Sequence, residues 1–197
     1  MSSARSIREC RNKARRGALI GFTLIELLVT ISVLAILVAL AAPGFENIMT
    51  NNRVTGATNE LSAALNLARS EAIKRGRTVT VCKSSDTAAA VTATTPACDT
   101  DTAATWPDGW LIFVDQGTQG TRDGANDDLI RVGQPSTRNL IQTGSDFAEF
   151  ISFFPNGSSS ASGVLANATL TLCMTPAQRQ IVISRTGQIQ IIRGTCP

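Results

Sequence analysis

The chain of 197 residues contains no histidine and no tyrosine. Histidine is the commonest general acid or base in enzymes, so its absence removes the usual starting point for catalysis. A hydroxyl-rich stretch at residues 157–163 lacks the strand-turn-helix pattern of a nucleophile and is typical of a flexible loop instead. We therefore expect no enzymatic activity and no cofactor.

Metal ligands are scarce as well. With no histidine and no Cys-x-x-Cys pair, the chain has too few suitably spaced ligands for zinc. The segment Asp115–Asp128 collects four carboxylates and the amide of Asn126 in 14 residues, and such oxygen ligands suit calcium. Their spacing does not match an EF-hand loop, and Arg122 lies among them. A solvated turn is therefore favoured over a calcium site, and we predict no metal.

Charge is sparse, at 17% of the residues, and unevenly placed. The first 21 residues hold one acid, Glu9, and six of the 18 basic residues: Arg5, Arg8, Arg11, Lys13, Arg15 and Arg16. The rest of the chain has 12 basic and 14 acidic residues, a net charge of about −2, so nucleic-acid binding would need a local basic patch. Positive-inside bias keeps the basic segment in the cytoplasm and sends the remainder across the membrane.

An apolar run follows the basic segment. Residues 22–42 would rise about 32 Å as a helix, close to the hydrocarbon thickness of a bilayer. The run contains one charged residue, Glu26, which costs roughly a few kcal/mol in lipid unless it is neutralised and therefore indicates a functional site. Cleavage after Gly21 would place a charged amine on Phe22, four residues from Glu26.

Two other interpretations of the run compete with this one. A secretory signal could be cleaved near residues 39–41, which read Ala-Leu-Ala, but its apolar region would be about twice the usual length and would bury a glutamate without purpose. A plain single-pass anchor is the second alternative.

The string Gly21-Phe-Thr-Leu-Ile-Glu26-Leu-Leu resembles the prepilin-peptidase site of type IV pilins and type II secretion pseudopilins. This resemblance implies that residues 1–21 are a leader cut after Gly21, that Phe22 is N-methylated, and that Glu26 pairs with the terminal amine of a neighbouring subunit in a filament. It also implies an inner-membrane protein with a single span and a periplasmic head. The implied partners are the prepilin peptidase and other minor and major pilins or pseudopilins.

Five cysteines are present, of which Cys10 lies in the leader. The even number left in the exported part, Cys82, Cys98, Cys173 and Cys196, indicates disulfides. Four cysteines allow three pairings, which the sequence alone does not separate. The local pairs Cys82–Cys98 and Cys173–Cys196 are favoured because each would close a low-complexity or terminal segment, with a stabilisation on the order of 3 kcal/mol per bridge.

Helical periodicity resumes after a break expected at Pro43 and Gly44. Apolar residues spaced i, i+3, i+4 and i+7 predict an amphipathic helix over residues 51–76, ended by Gly76. An Ala/Thr/Asp-rich loop is expected at 84–105. Alternating or buried runs predict strands at 77–82, 109–114, 129–132, 140–143, 150–154, 168–174, 179–185 and 188–193.

A helix followed by antiparallel strands predicts an α+β fold, with the sheet packed on the apolar stripe of a long N-terminal helix. The predicted divisions are the leader at 1–21, a membrane and filament-core helix at 22–50, and a head at 51–197 made of helix 51–76 and β-sheet 77–197. The element order, with Trp110, the Asp-rich connection and the Phe-x-Pro-x-Gly element at 153–157, resembles the pseudopilin H and FimT/FimU minor-pilin superfamily. The resemblance implies a minor subunit in a type II secretion pseudopilus or a type IV pilus.

A DNA-uptake role is the alternative from a different functional class. Some FimT proteins are similar to this chain and bind DNA through a Gly-Arg-x-Arg motif in the last hairpin. The matching stretch is Gly187-Gln-Ile-Gln190, where both arginines are replaced by glutamine, so the charges that neutralise phosphate are absent. Arg179, Arg185 and Arg193 surround the hairpin and are the candidate DNA contacts.

Overall fold

The computed structural model describes residues 21–87, 96–100, 104–123, 127–136, 140–147, 149–164 and 167–196. The predicted leader before Gly21, including Cys10, lies outside the described residues. The chain divides into two compact units, one ending at Ala42 and the other beginning at Pro43. One helix, α1, runs over Leu24–Arg75 and contributes to both units.

The first unit consists of the apolar part of α1. Its large side chains are exposed along the whole length from Leu24 to Leu40. Within the described residues, no single helix combines the length and the apolar composition that a bilayer crossing requires, but the segments Leu24–Leu40 and Phe45–Arg75 meet that requirement as a pair.

The second unit contains the predicted amphipathic stripe of α1, and the side chains of that stripe are buried: Val54, Leu61, Ala64, Leu65, Ala68 and Ala72. They form one core with the strands, which confirms the predicted helix packed on a β-sheet head. The helix ends at Arg75 because Gly76 follows with φ of +63°, a left-handed conformation that glycine adopts without strain.

In the described ranges, nine strands follow the helix, and a 3₁₀ turn at Trp106–Asp108 precedes the second of them. The strands are β1 Val79–Lys83, β2 Trp110–Val114, β3 Leu129–Gly133, β4 Ile141–Ser145, β5 Phe150–Phe153, β6 Ser159–Ala161, β7 Ala168–Met174, β8 Ala177–Ile183 and β9 Ile189–Thr195. Eight of them coincide with the predicted strands to within a few residues, because each of the eight has the apolar content or alternation of a half-buried strand.

The strands divide into two antiparallel sheets, where the sequence predicts one. The first has the order β3-β2-β1-β5-β6 and the second the order β4-β7-β8-β9. Trp106 lies at the junction, because its indole N–H donates to the Phe147 carbonyl at 3.1 Å and its ring meets the Phe147 ring edge-on at 5.5 Å. Both sheets and α1 share this core.

The prediction of a flexible loop at residues 157–163 is wrong for its central residues, Ser159–Ala161, which form β6. All three residues of β6 are buried, and Ser159 joins the two sheets by donating its backbone N–H to the Arg185 carbonyl and its hydroxyl to the Ser184 carbonyl. Small polar residues have no apolar alternation, so the strand left no periodic signal. Tertiary contacts, rather than local propensity, place it in the sheet.

Two disulfides join the pairs favoured from the sequence. Cys82 in β1 bonds Cys98 with 5.6 Å between the Cα atoms, and Cys173 in β7 bonds Cys196 with 5.8 Å. The first bridge holds part of the 84–105 loop against the outer face of the first sheet, where the Asp99 N–H also donates to the Lys83 carbonyl at 2.9 Å.

Arg69 of α1 binds two turns, the one between β5 and β6 in the first sheet and the one between β8 and β9 in the second. Its Nε donates to the Gly157 carbonyl and its Nη2 to the Thr186 carbonyl, each at 3.1 Å. The turns touch: a Cβ at Gly187 would collide with the Gly157 carbonyl oxygen. Gly187 also has φ of +75°, so both its conformation and its surroundings require glycine.

Gly187→Ala should therefore destabilise the chain more than Gly163→Ala. Gly163 has a similar φ of +84°, but a Cβ added there would meet no atom within 4 Å. Both variants bear the left-handed strain of about 1–2 kcal/mol, and only Gly187→Ala also forces the two turns apart. Thermal unfolding of the full-length chain in mild detergent measures the difference; equal melting temperatures would contradict the close approach.

Candidate functional site

Two regions contain the residues singled out by sequence. The first is the start of α1, with Gly21, Phe22 and Glu26. The second is the closing hairpin of β8 and β9, with its three arginines. The first belongs to the unit ending at Ala42 and the second to the unit beginning at Pro43.

Gly21 and Phe22 precede the helix and are exposed, Phe22 by 82%. The residue that sets the start of α1 is Thr23. Its hydroxyl oxygen accepts the Glu26 backbone N–H at 3.2 Å, and its carbonyl accepts the Leu27 N–H at 3.1 Å. The predicted cleavage junction is therefore non-helical and reachable, immediately before a capped helix.

Sequence reasoning missed the role of Thr23, although a signal for it exists. Thr23-Leu-Ile-Glu26 is the S/T-x-x-E pattern that opens many helices. Glu26 thus lies in the first turn, where the partial positive charge of the helix N-terminus favours a carboxylate. Within the part of the chain that the structure describes, Glu26 forms no ion pair, and it is exposed.

The hairpin does not present its arginines as one patch. Arg179 in β8 is only 6% exposed. Its guanidinium donates to the carbonyl of Gln178 and to the side-chain oxygens of Asn51 and Thr55 on α1. Arg179 therefore joins the sheet to the helix, and its role as a DNA contact stays a prediction.

Arg185 and Arg193 lie at opposite ends of the hairpin. Arg185 is in the turn, whereas Arg193 lies six residues beyond Gly187 along β9, about 20 Å away at about 3.4 Å per residue. Gln188 and Gln190 lie between them and carry no charge. A DNA backbone would therefore meet isolated charges here instead of a continuous basic strip.

The acidic connection uses its carboxylates to hold its own backbone. Asp127, which is buried, accepts the N–H groups of Gln116 at 2.9 Å and Asp123 at 2.7 Å. Asp115 accepts the N–H of Gly120 and the hydroxyl of Thr80, and burial raises the pKa of the Asp115 carboxyl against these two hydrogen bonds. The structure brings together no metal-binding group of three or more side chains among the residues it describes.

Asp127→Ala should lower the free energy of unfolding by roughly 2–4 kcal/mol, because two backbone N–H groups lose their acceptor. The matched control is Asp86→Ala, which removes an exposed carboxylate and should change stability by less than about 0.5 kcal/mol. Urea unfolding followed through the buried indoles of Trp106 and Trp110 measures both values. A rise in the stability of the unmodified chain on adding calcium, reversed by a chelator, would contradict this account of the acidic connection.

Two family models match the chain. Residues 57–187 match the family described as Type II transport protein GspH. Residues 21–42 match the Prokaryotic N-terminal methylation motif, which covers Gly21, Phe22 and Glu26.

Two crystal structures of the type IV minor pilin FimU from Pseudomonas aeruginosa resemble the chain. One is 23% identical, with a TM-score of 0.52, and the match covers 72% of this chain and 89% of FimU. The other, in a second crystal form, is 22% identical with a TM-score of 0.49 over 70% and 91%. The first likeness, at this identity, establishes the fold. Among curated proteins, none matches the chain by sequence.

Proposed function

We propose that this chain, which belongs to the type II transport protein GspH family, is processed after Gly21 and enters a filament as a minor subunit. The chain is a pilin-like subunit of a type IV pilus or a type II secretion pseudopilus. Its apolar N-terminal helix anchors it in the membrane, and the prepilin peptidase and other pilins are its partners. The match of residues 21–42 to the methylation motif is the observation that carries the proposal.

Processing would begin at the exposed segment before Thr23. Hydrolysis of the Gly21–Phe22 peptide bond releases the leader, residues 1–21, and leaves a positively charged amine on Phe22. Methylation of that amine keeps the charge. Because the helix is capped by Thr23, cleavage need not unwind α1, and the new terminus stays one residue from the first helical turn.

Glu26 would then supply the electrostatic link between subunits. An ionised carboxylate in lipid costs roughly a few kcal/mol, and the helix N-terminus offsets part of that cost. The ammonium of a neighbouring Phe22 offsets more of it only when the subunits pack together. The pair therefore favours the filament over the isolated membrane-bound subunit.

The periplasmic head would be residues 51–197, which lie within the second unit, and the filament-core helix would be residues 22–50. The role of the head is contact with other minor subunits as it caps or primes the filament. A DNA-uptake role has less support, because Arg185 and Arg193 are separated along the hairpin by the uncharged Gln188 and Gln190. We propose no enzymatic activity for the head.

Gly21→Val should leave the full-length precursor in the membrane, because a branched side chain at the cleaved bond blocks the peptidase. Gly17→Val lies four residues earlier in the leader and serves as the control, which should mature normally. Intact-mass measurement of the membrane-bound protein reads out both variants and the added methyl group on Phe22. A mature terminus at Ala42 would show instead that a secretory signal is cleaved.

Glu26→Gln should reduce incorporation into the filament without reducing membrane insertion, because a neutral amide of the same size loses the neighbour's ammonium. Glu60→Gln, an exposed neutralisation on the head part of α1, is the control. The measurement is the amount of each variant in sheared filaments relative to that in membranes. Normal incorporation of Glu26→Gln would argue against the proposed pairing.

A further inference from the structure

We infer that a basic pocket of the second unit binds the phosphate of an anionic phospholipid headgroup while the subunit is in the membrane. The pocket is open and has a volume of about 460 Å³. Its walls are α1 and the β8–β9 pair, and its polar lining includes Asn47, Asn51, Arg179 and Arg193. The inference rests on the proposed membrane-anchored function, and it concerns a site that this function does not itself require.

Arg179 gives the pocket an uncompensated positive charge. Its three hydrogen-bond acceptors, on Gln178, Asn51 and Thr55, are all neutral oxygens. Among the residues that the structure describes, no carboxylate pairs with it, although it is only 6% exposed. A guanidinium has five N–H donors, so Arg179 keeps donors for a further acceptor. A buried charge of this kind is stabilised by an anion that reaches it through the pocket.

Arg193 adds a second cation on the same side of the sheet. It lies directly opposite Arg179 in the β8–β9 register, so both side chains project from one face. Like charges in opposite positions repel each other, and no described residue neutralises Arg193. An anion held between the two guanidinium groups removes the repulsion. Phosphate suits this geometry because guanidinium binds it through paired N–H···O bonds.

Asn51 is oriented to donate a hydrogen bond to an anion in the pocket. Because its Oδ1 accepts from Arg179, its amide NH₂ group is left to donate. Asn47 lies one helical turn earlier, with a second amide in the pocket lining. The pocket thus offers donors from two arginines and two amides.

The surroundings of the pocket favour a lipid over a soluble anion. Phe45, Ile48 and Met49 follow the i, i+3, i+4 spacing on α1 and are all exposed. These apolar side chains flank Asn47 on α1, and the cations of the pocket come from β8 and β9, so apolar and cationic groups adjoin, as is suited to the membrane interface. Asn47 follows the last residue of the apolar run, Ala42, by only five residues in the sequence, so the pocket lining begins close to the predicted membrane segment along the chain.

The bound headgroup holds the head against the membrane before assembly. Entry into the filament then requires the phosphate to leave, so lipid binding opposes premature extraction. DNA is disfavoured as the source of the phosphate because Arg185, the remaining arginine of the hairpin, lies outside the pocket.

The test is native mass spectrometry of the full-length chain in mild detergent, titrated with phosphatidylglycerol. Arg193→Gln should weaken lipid retention about fivefold, the effect of one basic residue near an anionic surface. Arg185→Gln removes the same charge from the far end of the hairpin and should retain lipid like the unmodified chain. Arg193→Lys keeps the charge but loses the paired N–H···O bonds, so it should restore only part of the affinity. Thermal unfolding of each variant controls for loss of fold.

Competitors distinguish the sources of phosphate. Inorganic phosphate at millimolar concentration and a short DNA duplex should displace little lipid. Equal weakening by Arg185→Gln and Arg193→Gln, tighter Arg193-dependent binding of DNA than of phosphatidylglycerol, or retention of inorganic phosphate without lipid would each overturn the inference. Processing after Gly21 is read separately on the same preparations, so normal maturation without lipid retention rejects the pocket and leaves the proposed function intact.

Discussion

The stripe of buried side chains on α1 has to serve two sheets at once, because both sheets bury residues in one core against it. Three of its members are alanines, Ala64, Ala68 and Ala72, all with no exposed area. A close-packed interior leaves little freedom in how each sheet lies on this stripe. The position of each sheet on this stripe then determines where the sheets meet each other, at Ser159 and at the Gly157 and Gly187 turns.

The sequence predicts well what depends on local pattern. The helix period gives α1 and its end at Gly76, and β7 has the predicted limits, because these elements show their buried face in consecutive residues. The division into two sheets depends on pairing between distant strands, such as β1 with β5, and no local pattern records it. β6 is the extreme case, since its three small residues form a strand through pairing with β5 and through hydrogen bonds to the turn after β8.

The candidate sites also divide into one that a local pattern predicts and one that depends on contacts between distant residues. Gly21, Phe22 and Glu26 lie within six residues, so a short motif identifies them, and Thr23 is recognisable from the same stretch. Arginines counted along the closing hairpin suggest one continuous basic patch, but the fold draws Arg179 towards α1 through its contact with Asn51, 128 residues earlier, and leaves Arg185 apart. Asn51 and Arg179 line the basic pocket together with Arg193. The pocket therefore depends on the packing of α1 against β8 and β9, which the sequence pattern does not record.

Arg69 also has a consequence for the order in which the head acquires its structure. Its two acceptors lie 88 and 117 residues later in the chain, so α1 is synthesised long before the turns that fix it. Contacts of such long sequence separation close late and slow the search for the native state. Until then the apolar stripe of α1 has no partner. During this interval the stripe is uncovered, and a chaperone or a neighbouring subunit could compete with the chain's own sheets for that surface.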